Sequence, residues 1–295
     1  MATLPNPLPR LATDPSGRSL GLRLPPGRLV DATADGPWHE PLLWHAEKGS
    51  APGTWKALGA PAARAGLLPV LVDLAGCRAG LEDWPLLPAE ASYPGDHDAE
   101  EILGEYWAEE TDGQEADETE PFGDRWPGLA PAGVLAADPE TRAAQVADAL
   151  HSDRDRWSEW IEEPHLALVP ARRSADIPAA IGWTGPLNYD QDVARVCAVL
   201  RSWEDRFGAR VVALGRDTLV VSVAAPPTGT EDAEALAAEH YALCPDVVAR
   251  SGPGTVGAYA EELTGATSGS VPASGSAPAS ASASAAGRHV SPPSG

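Results

Sequence analysis

The chain has 295 residues, 43% of them apolar, and carries 43 Asp and Glu against 21 Lys and Arg for a formal charge of −22. That balance excludes nucleic acid and anionic membrane surfaces as expected partners, because like charges repel. Cys77, Cys197 and Cys244 form no C-x-x-C pair and cannot all pair with one another, so a disulfide framework is not expected either. No apolar run approaches a membrane span and the N-terminus shows no apolar signal core, so a soluble, cytoplasmic protein is expected.

Residues 1–40 are rich in Pro and Gly and read as an irregular arm, with one edge strand around Leu29 and Val30. Residues 41–78 open on a short apolar strand at 41–45. A helix over 55–64 follows, which Gly59 and Pro61 weaken, and then a buried strand over 67–73. Strand, helix and strand in about thirty residues match the size of a βαβ unit.

Residues 79–137 form an acidic insertion. No Lys or Arg occurs from Ala79 to Asp124, and 13 acids lie between Asp96 and Asp124, without which the net charge would be −9. So dense a block of like charge repels itself and is usually solvated. Ile102, Leu103, Tyr106, Trp107 and Phe122 are interleaved with it, however, and predict one amphipathic turn over 100–109 resting on the domain. The same composition suits an acidic surface that docks a basic protein partner.

Residues 138–263 hold the main domain. Asp138 followed by Pro139 signals a helix start. Ala143, Val146, Leu150, Trp157, Trp160 and Ile161 then keep mostly helical spacing, with a break near 151–155. A strand is predicted over 165–170. Val193, Val196, Cys197, Leu200, Trp203 and Phe207 mark one face of a helix that starts near Asp190 and closes at Gly208. A hairpin of 210–214 and 218–223 follows. Thr228 and Glu231 fit a capping box for a helix with Leu236, His240, Leu243 and Val247 on one side and a break at Pro245. A last helix spans 256–263. Residues 264–295 are almost wholly Ser, Ala, Gly, Pro and Thr and are expected to be disordered. The fold class is α/β, with α+β as the alternative: a mixed sheet flanked by amphipathic helices, with an acidic insertion and a disordered tail.

Recognisable catalytic patterns are missing. There is no G-x-x-x-x-G-K-[ST], no G-x-G-x-x-G after a strand and no G-x-S-x-G. His39 and His45 are six apart and suit no usual metal pattern. His240 and Cys244, one helical turn apart, supply two ligands where a zinc site needs three. No metal and no cofactor are therefore expected, and Cys197 is expected in the core. Arg172, Arg173, Trp183 and Asn188 fall in a stretch read as a loop, where a cationic pair beside an aromatic suits a carboxylate or phosphate. Tyr241, Cys244 and Asp246 form a second candidate at a helix end. Two functions stay open. One is a non-enzymatic binding or regulatory module acting on a protein partner through the acidic insertion. The other is a small-molecule binder or cryptic enzyme using the 172–188 loop and the 241–246 corner. The sequence does not encode the oligomeric state.

The segments HLALVPARRSADIPAAIGWTGPLNY, VLRSWEDRFGARVVALGRDTLVVSVAAPP and AEHYALCPD occur in that order. Together they resemble a bacterial domain family, the domain of unknown function numbered 4253, across roughly residues 164–263. The earlier PLLW and AGLLPVLVD segments look like the N-terminal part of such proteins. The resemblance implies no established activity and no catalytic residues. It implies an aromatic-rich strand after the last helix, where this chain has its Ser/Ala tail.

Overall fold

The computed structural model describes residues 5–78, 80–112, 116–158, 160–185, 192–249, 254–268 and 279–282. In the N-terminal arm, α1 (Pro9–Thr13) buries Leu11 and precedes β1 (Gly27–Val30). A small ribbon, β2 (Ala32–Thr33) with β3 (Gly36–Pro37), turns the chain back into β4 (Leu43–Ala46), which pairs antiparallel with β1. The predicted edge strand and the predicted strand at 41–45 are thus partners. Helix α2 (Thr54–Arg64) forms in spite of Pro61, because Trp55, Leu58 and Ala62 bury one face of it. Next comes β5 (Leu68–Asp73).

Within the acidic insertion, α3 (Ala99–Thr111) is capped by Asp98, whose carboxylate accepts the N–H groups of Glu100 and Glu101 at 2.9 and 3.0 Å. The helix buries Ile102, Leu103 and Trp107, and Trp107 meets Phe122 and Tyr241 edge-on and Trp126 at a tilt. One apolar stripe is enough to dock an otherwise charged helix, so this part of the insertion rests on the domain as its pattern implies. Glu100, Glu101, Glu105 and Glu109 stay exposed.

Further along the chain, α4 (Pro139–Ser152) is capped by Asp138 through the N–H of Thr141. The expected break falls at Asp153, after which α5 (Arg154–Trp157) makes one more turn. Then come β6 (Pro164–Val169) and the short α6 (Ile177–Ile181). Helix α7 (Val193–Phe207) is capped by Asp192 and ended by Gly208 at φ +60; the expected start at Asp190 lies outside the described residues. The hairpin is β7 (Arg210–Leu214) with β8 (Thr218–Ser222). The expected capping box does not form: α8 (Thr230–Leu243) begins after Gly229, with no side-chain cap. After it come α9 (Pro245–Ala249) and α10 (Val256–Ser268). Of residues 264–295, the described ones complete α10 and form β9 (Ala279–Ser282), antiparallel to β8.

The main sheet is mixed, in the order β1-β4-β6-β5-β7-β8-β9. The β4 and β5 strands flanking α2 are not neighbours. Strand β6 lies between them, antiparallel to both, and β5 pairs with β7 in parallel. The fold is α/β. Val70, Val72, Ala167, Val169, Leu219 and Val221 face one core, shared with α3, α6, α7, α8 and α10. Leu71, Leu166, Leu168, Val212 and Val220 face the other, shared with α2, α4 and Trp157. Strands covered on both faces read as near-continuous apolar runs, which is why the hairpin shows no alternation of polar and apolar residues.

Candidate functional site: an arginine-lined cleft beside a buried carboxylate clamp

At one end of the central strands, the start of β5 and β7 meets the loop that leaves β6. Trp55, Leu68, Pro69, Glu140, Arg172, Arg173, Ser174, Glu204 and Arg210 line a cleft there of about 110 Å³. Trp55, Leu68 and Pro69 give it an apolar wall. The polar side is held in place bond by bond. Ser174 Oγ accepts the N–H of Val211 at 2.8 Å. Arg173 Nη2 reaches Asp205 at 2.5 Å, and its Nε lies 3.4 Å from Glu204. Arg210 donates from Nε to Glu140 at 2.6 Å and from Nη1 to the carbonyl of Ala209 at 2.8 Å. Glu204 sits between the two guanidiniums, 3.4 Å from Arg173 and 3.9 Å from Arg210, and its other oxygen accepts the N–H of Ala175 at 2.9 Å.

One helix over, Glu239 on α8 is completely buried. Its carboxylate accepts from the N–H of Ala130 at 2.7 Å, from Trp203 Nε1 at 2.7 Å and from both Nη groups of Arg206 at 2.7 and 2.6 Å. Arg206 also donates to the carbonyl of Ala130 at 2.7 Å. The ion pair therefore joins α7, α8 and the end of the acidic insertion. Each carboxylate oxygen has two donors, the condition under which a buried charge is tolerated.

The sequence candidates separate in space. Arg172 and Arg173 line the cleft, but Trp183 does not: its indole is buried and donates to the carbonyl of Gly215 at 2.9 Å. The aromatic wall beside the arginines is Trp55 instead. The stretch read as a loop contains a 3-10 turn and α6, and α6 ends at Gly182 with φ +65. A Cβ on Gly182 would lie 2.1 Å from Pro88 N, so the chain over 87–88 crosses too closely for any other residue. Asn188 lies outside the described residues. Tyr241 packs on Trp107, and burial, with Glu118 and Glu110 nearby, pushes its hydroxyl up to about 12. Cys244 is buried at the end of α8, and Asp246 is half-buried in α9. None of these three residues lines the cleft that holds Arg172 and Arg173.

His240 is buried, bonds Tyr259 Oη through Nδ1 at 3.0 Å and meets Trp203 edge-on. Burial, with Arg206 nearby, lowers its pKa to about 4. Cys197 is buried on α7, and burial raises its thiol far above the ordinary value, so it is an inert core residue. Among the described residues no group of three His, Cys, Asp or Glu is placed to hold a metal ion.

Strand β6 opens the stretch that matches a known family. Residues 165–269 match the family model described as "Domain of unknown function (DUF4253)". The DUF4253 stretch runs from β6 to the end of α10, and so contains Arg172, Arg173, Ser174, Glu204, Arg210 and Glu239. Trp55, Leu68, Pro69 and Glu140 come from outside it. No curated protein and no solved structure matches the chain. No helix among the described residues is long and apolar enough to cross a membrane.

Two polar arrangements escaped sequence reasoning altogether. His45 and His165, on neighbouring strands, both place Nδ1 3.0 Å from the carbonyl of Ala46, which requires the proton on Nδ1 in each ring. Burial lowers the pKa of His45. Ser50 Oγ lies 3.0 Å from His151 Nε2 and 3.0 Å from the carbonyl of Pro164, tying the loop before α2 to the end of α4. Partners 101 and 114 residues apart leave no periodic trace in sequence.

Proposed function

We propose that the chain is a non-enzymatic binding or regulatory module that docks a basic protein partner on the outer face of α3. The observation that carries this reading is the anchoring of α3. Trp107 is completely buried and Ile102 and Leu103 lie beside it, so the carboxylates of Glu100, Glu101 and Glu109 project from a fixed helix. Glu105 pairs with Arg195 at 2.6 Å, and a carboxylate of this helix that already meets one arginine supports the reading. Pre-positioned like charges speed and orient encounter with a partner of opposite sign, and their effect is screened by salt.

The test is affinity capture on the full chain at low and high salt, beside a variant with Glu100, Glu101 and Glu109 changed to Gln. A partner held at low salt, released at high salt and lost from the triple variant supports the reading. Equal capture by wild type and triple variant, or no salt-sensitive partner at all, refutes it.

A further inference from the structure

The twelve residues from Trp126 to Ala137 carry no charge, although they lie just past the acidic block. Towards their end stand the two most exposed large apolar side chains among the described residues, Val134 at 88% and Leu135 at 55%. Beside them runs a groove of about 450 Å³ with Ala132, Leu135, Pro139 and Gly208 in its lining. Its polar part comes from Glu204, Asp205, Arg206 and Arg210. We propose that this face docks a second copy of the chain, with Val134 of each copy entering the groove of the other about a two-fold axis.

The exposed pair is held in place before any partner arrives. Gly133 donates its N–H to the carbonyl of Arg206 at 3.1 Å, and Ala136 donates to that of Ala224 at 2.9 Å, so the backbone is pinned on both sides of Val134 and Leu135. A Cβ on Gly133 would lie 2.8 Å from the carbonyl oxygen of Ala225, so the chain there is pressed against its neighbour. Side chains on a fixed backbone lose little freedom on binding, and an apolar pair standing in water is stabilised by leaving it.

The arrangement points to a second copy. Projection and groove lie side by side, and Leu135 belongs to both. A two-fold operation fills both grooves with both projections at once, whereas an unrelated partner would need a separate complement to each. Electrostatics agree. Glu204 and Asp205 meet Arg173, Arg206 meets Glu239, and Arg210 meets Glu140. Charges committed to internal pairs select neither an acidic nor a basic partner, and they are poorly suited to orient a small ligand. Both signs are present, so the carboxylates of one copy can face the guanidiniums of the other. The charge of −22 on each copy opposes the approach, so salt should strengthen this association, the reverse of its effect on docking at α3.

The experiment is sedimentation velocity on the full chain from micromolar to millimolar loading, at low and high salt. The expected result is a concentration-dependent shift from monomer to dimer that strengthens with salt. Val134→Glu places a carboxylate in each groove and should raise the dissociation constant about a hundredfold, tenfold for each of two equivalent contacts. Ala132→Glu alters the groove instead of the projection and should also weaken the dimer. Because Val134 and Ala132 are exposed, both variants should melt with wild type, which separates lost association from lost folding. Tyr93, 42% exposed, serves as the control: Tyr93→Ser should leave the dimer intact. The Gln variants of α3 should dimerise at least as well as wild type, so failure here and failure of the α3 reading are separate outcomes. The assignment is overturned by a chain that stays monomeric at every loading, whatever else its Val134 face captures. A dimer unchanged in either Glu variant, or one that salt dissociates, overturns it as well.

Discussion

Replacing Glu239 with Gln tests the carboxylate clamp directly. The side chain keeps its shape, but one of its two oxygens becomes an NH₂ group, a donor facing donors. The four groups that now point at Glu239 are the N–H of Ala130, the indole of Trp203 and two nitrogens of Arg206. At least one is left facing another donor, and Arg206, whose side chain is only 15% exposed, loses its counter-charge. Breaking a buried pair from one side typically costs about 3–5 kcal/mol. At roughly 2–4 °C per kcal/mol for domains of this general size, the melting temperature should fall by about 6–20 °C. Urea unfolding followed by Trp fluorescence gives the free energy. Hydrogen exchange at Ala130 should rise as well, because its N–H loses its acceptor. The companion variant Arg206→Met/Glu239→Leu removes both charges and should be more stable than Glu239→Gln alone. A loss under about 1 kcal/mol in Glu239→Gln, or additive effects in the double variant, would refute the claim that the clamp holds the insertion to α7 and α8.

Trp107→Ala removes the fully buried anchor of α3 and should cost about 3–5 kcal/mol while opening 99–111 to protease; a protected α3 in that variant would contradict the docking described above. Gly182→Ala should destabilise by at least about 2 kcal/mol, since a Cβ there meets the 87–88 backbone at a positive φ. Denaturation midpoints for the two variants decide both. The pH dependence follows from His240. Its native pKa is depressed to about 4, against about 6.5 in the unfolded chain, so below pH 6.5 the unfolded state binds the extra proton. Stability from this residue is complete above about pH 6.5 and is lost as the pH falls towards 4, by about 3 kcal/mol in all. His240→Gln should flatten that part of the stability–pH curve, and an unchanged slope would mean that the ring is not held neutral.

Much of this molecule is legible in its sequence where the signal is local. The stripe from Val193 to Phe207, the Asp138-Pro139 start and the hairpin across Gly215 are set by residues a few positions apart; the α4 start and the hairpin form within a residue of expectation, and α7 closes at Gly208 as expected. Helix α3 was readable too, because Ile102, Leu103 and Trp107 keep helical spacing among the acids. The capping box failed because a Thr–Glu spacing fixes a local possibility and nothing more; the chain enters α8 one residue later, through Gly229. Sheet order was not readable at all. Nothing in β4, α2 and β5 announces that β6 will be placed between the two strands. The cleft was half visible. Arg172 and Arg173 stood out as adjacent cations in an acidic chain, whereas Trp55, Glu140 and Arg210 reach the same space from three other elements. The nearest aromatic in sequence, Trp183, turned into the core because its indole found the carbonyl of Gly215.

The place of β6 between β4 and β5 also sets an order of events during synthesis. Both earlier strands leave the ribosome with open edges, and their shared partner follows about ninety residues behind β5, since the pairings join 44–45 and 68–73 to 164–169. The segment made in that interval carries the 13 acids between Asp96 and Asp124. Unfinished chains therefore repel one another most strongly while their strand edges are unpaired, and a fragment ending before Pro164 is expected to aggregate at high salt and to stay dispersed at low salt.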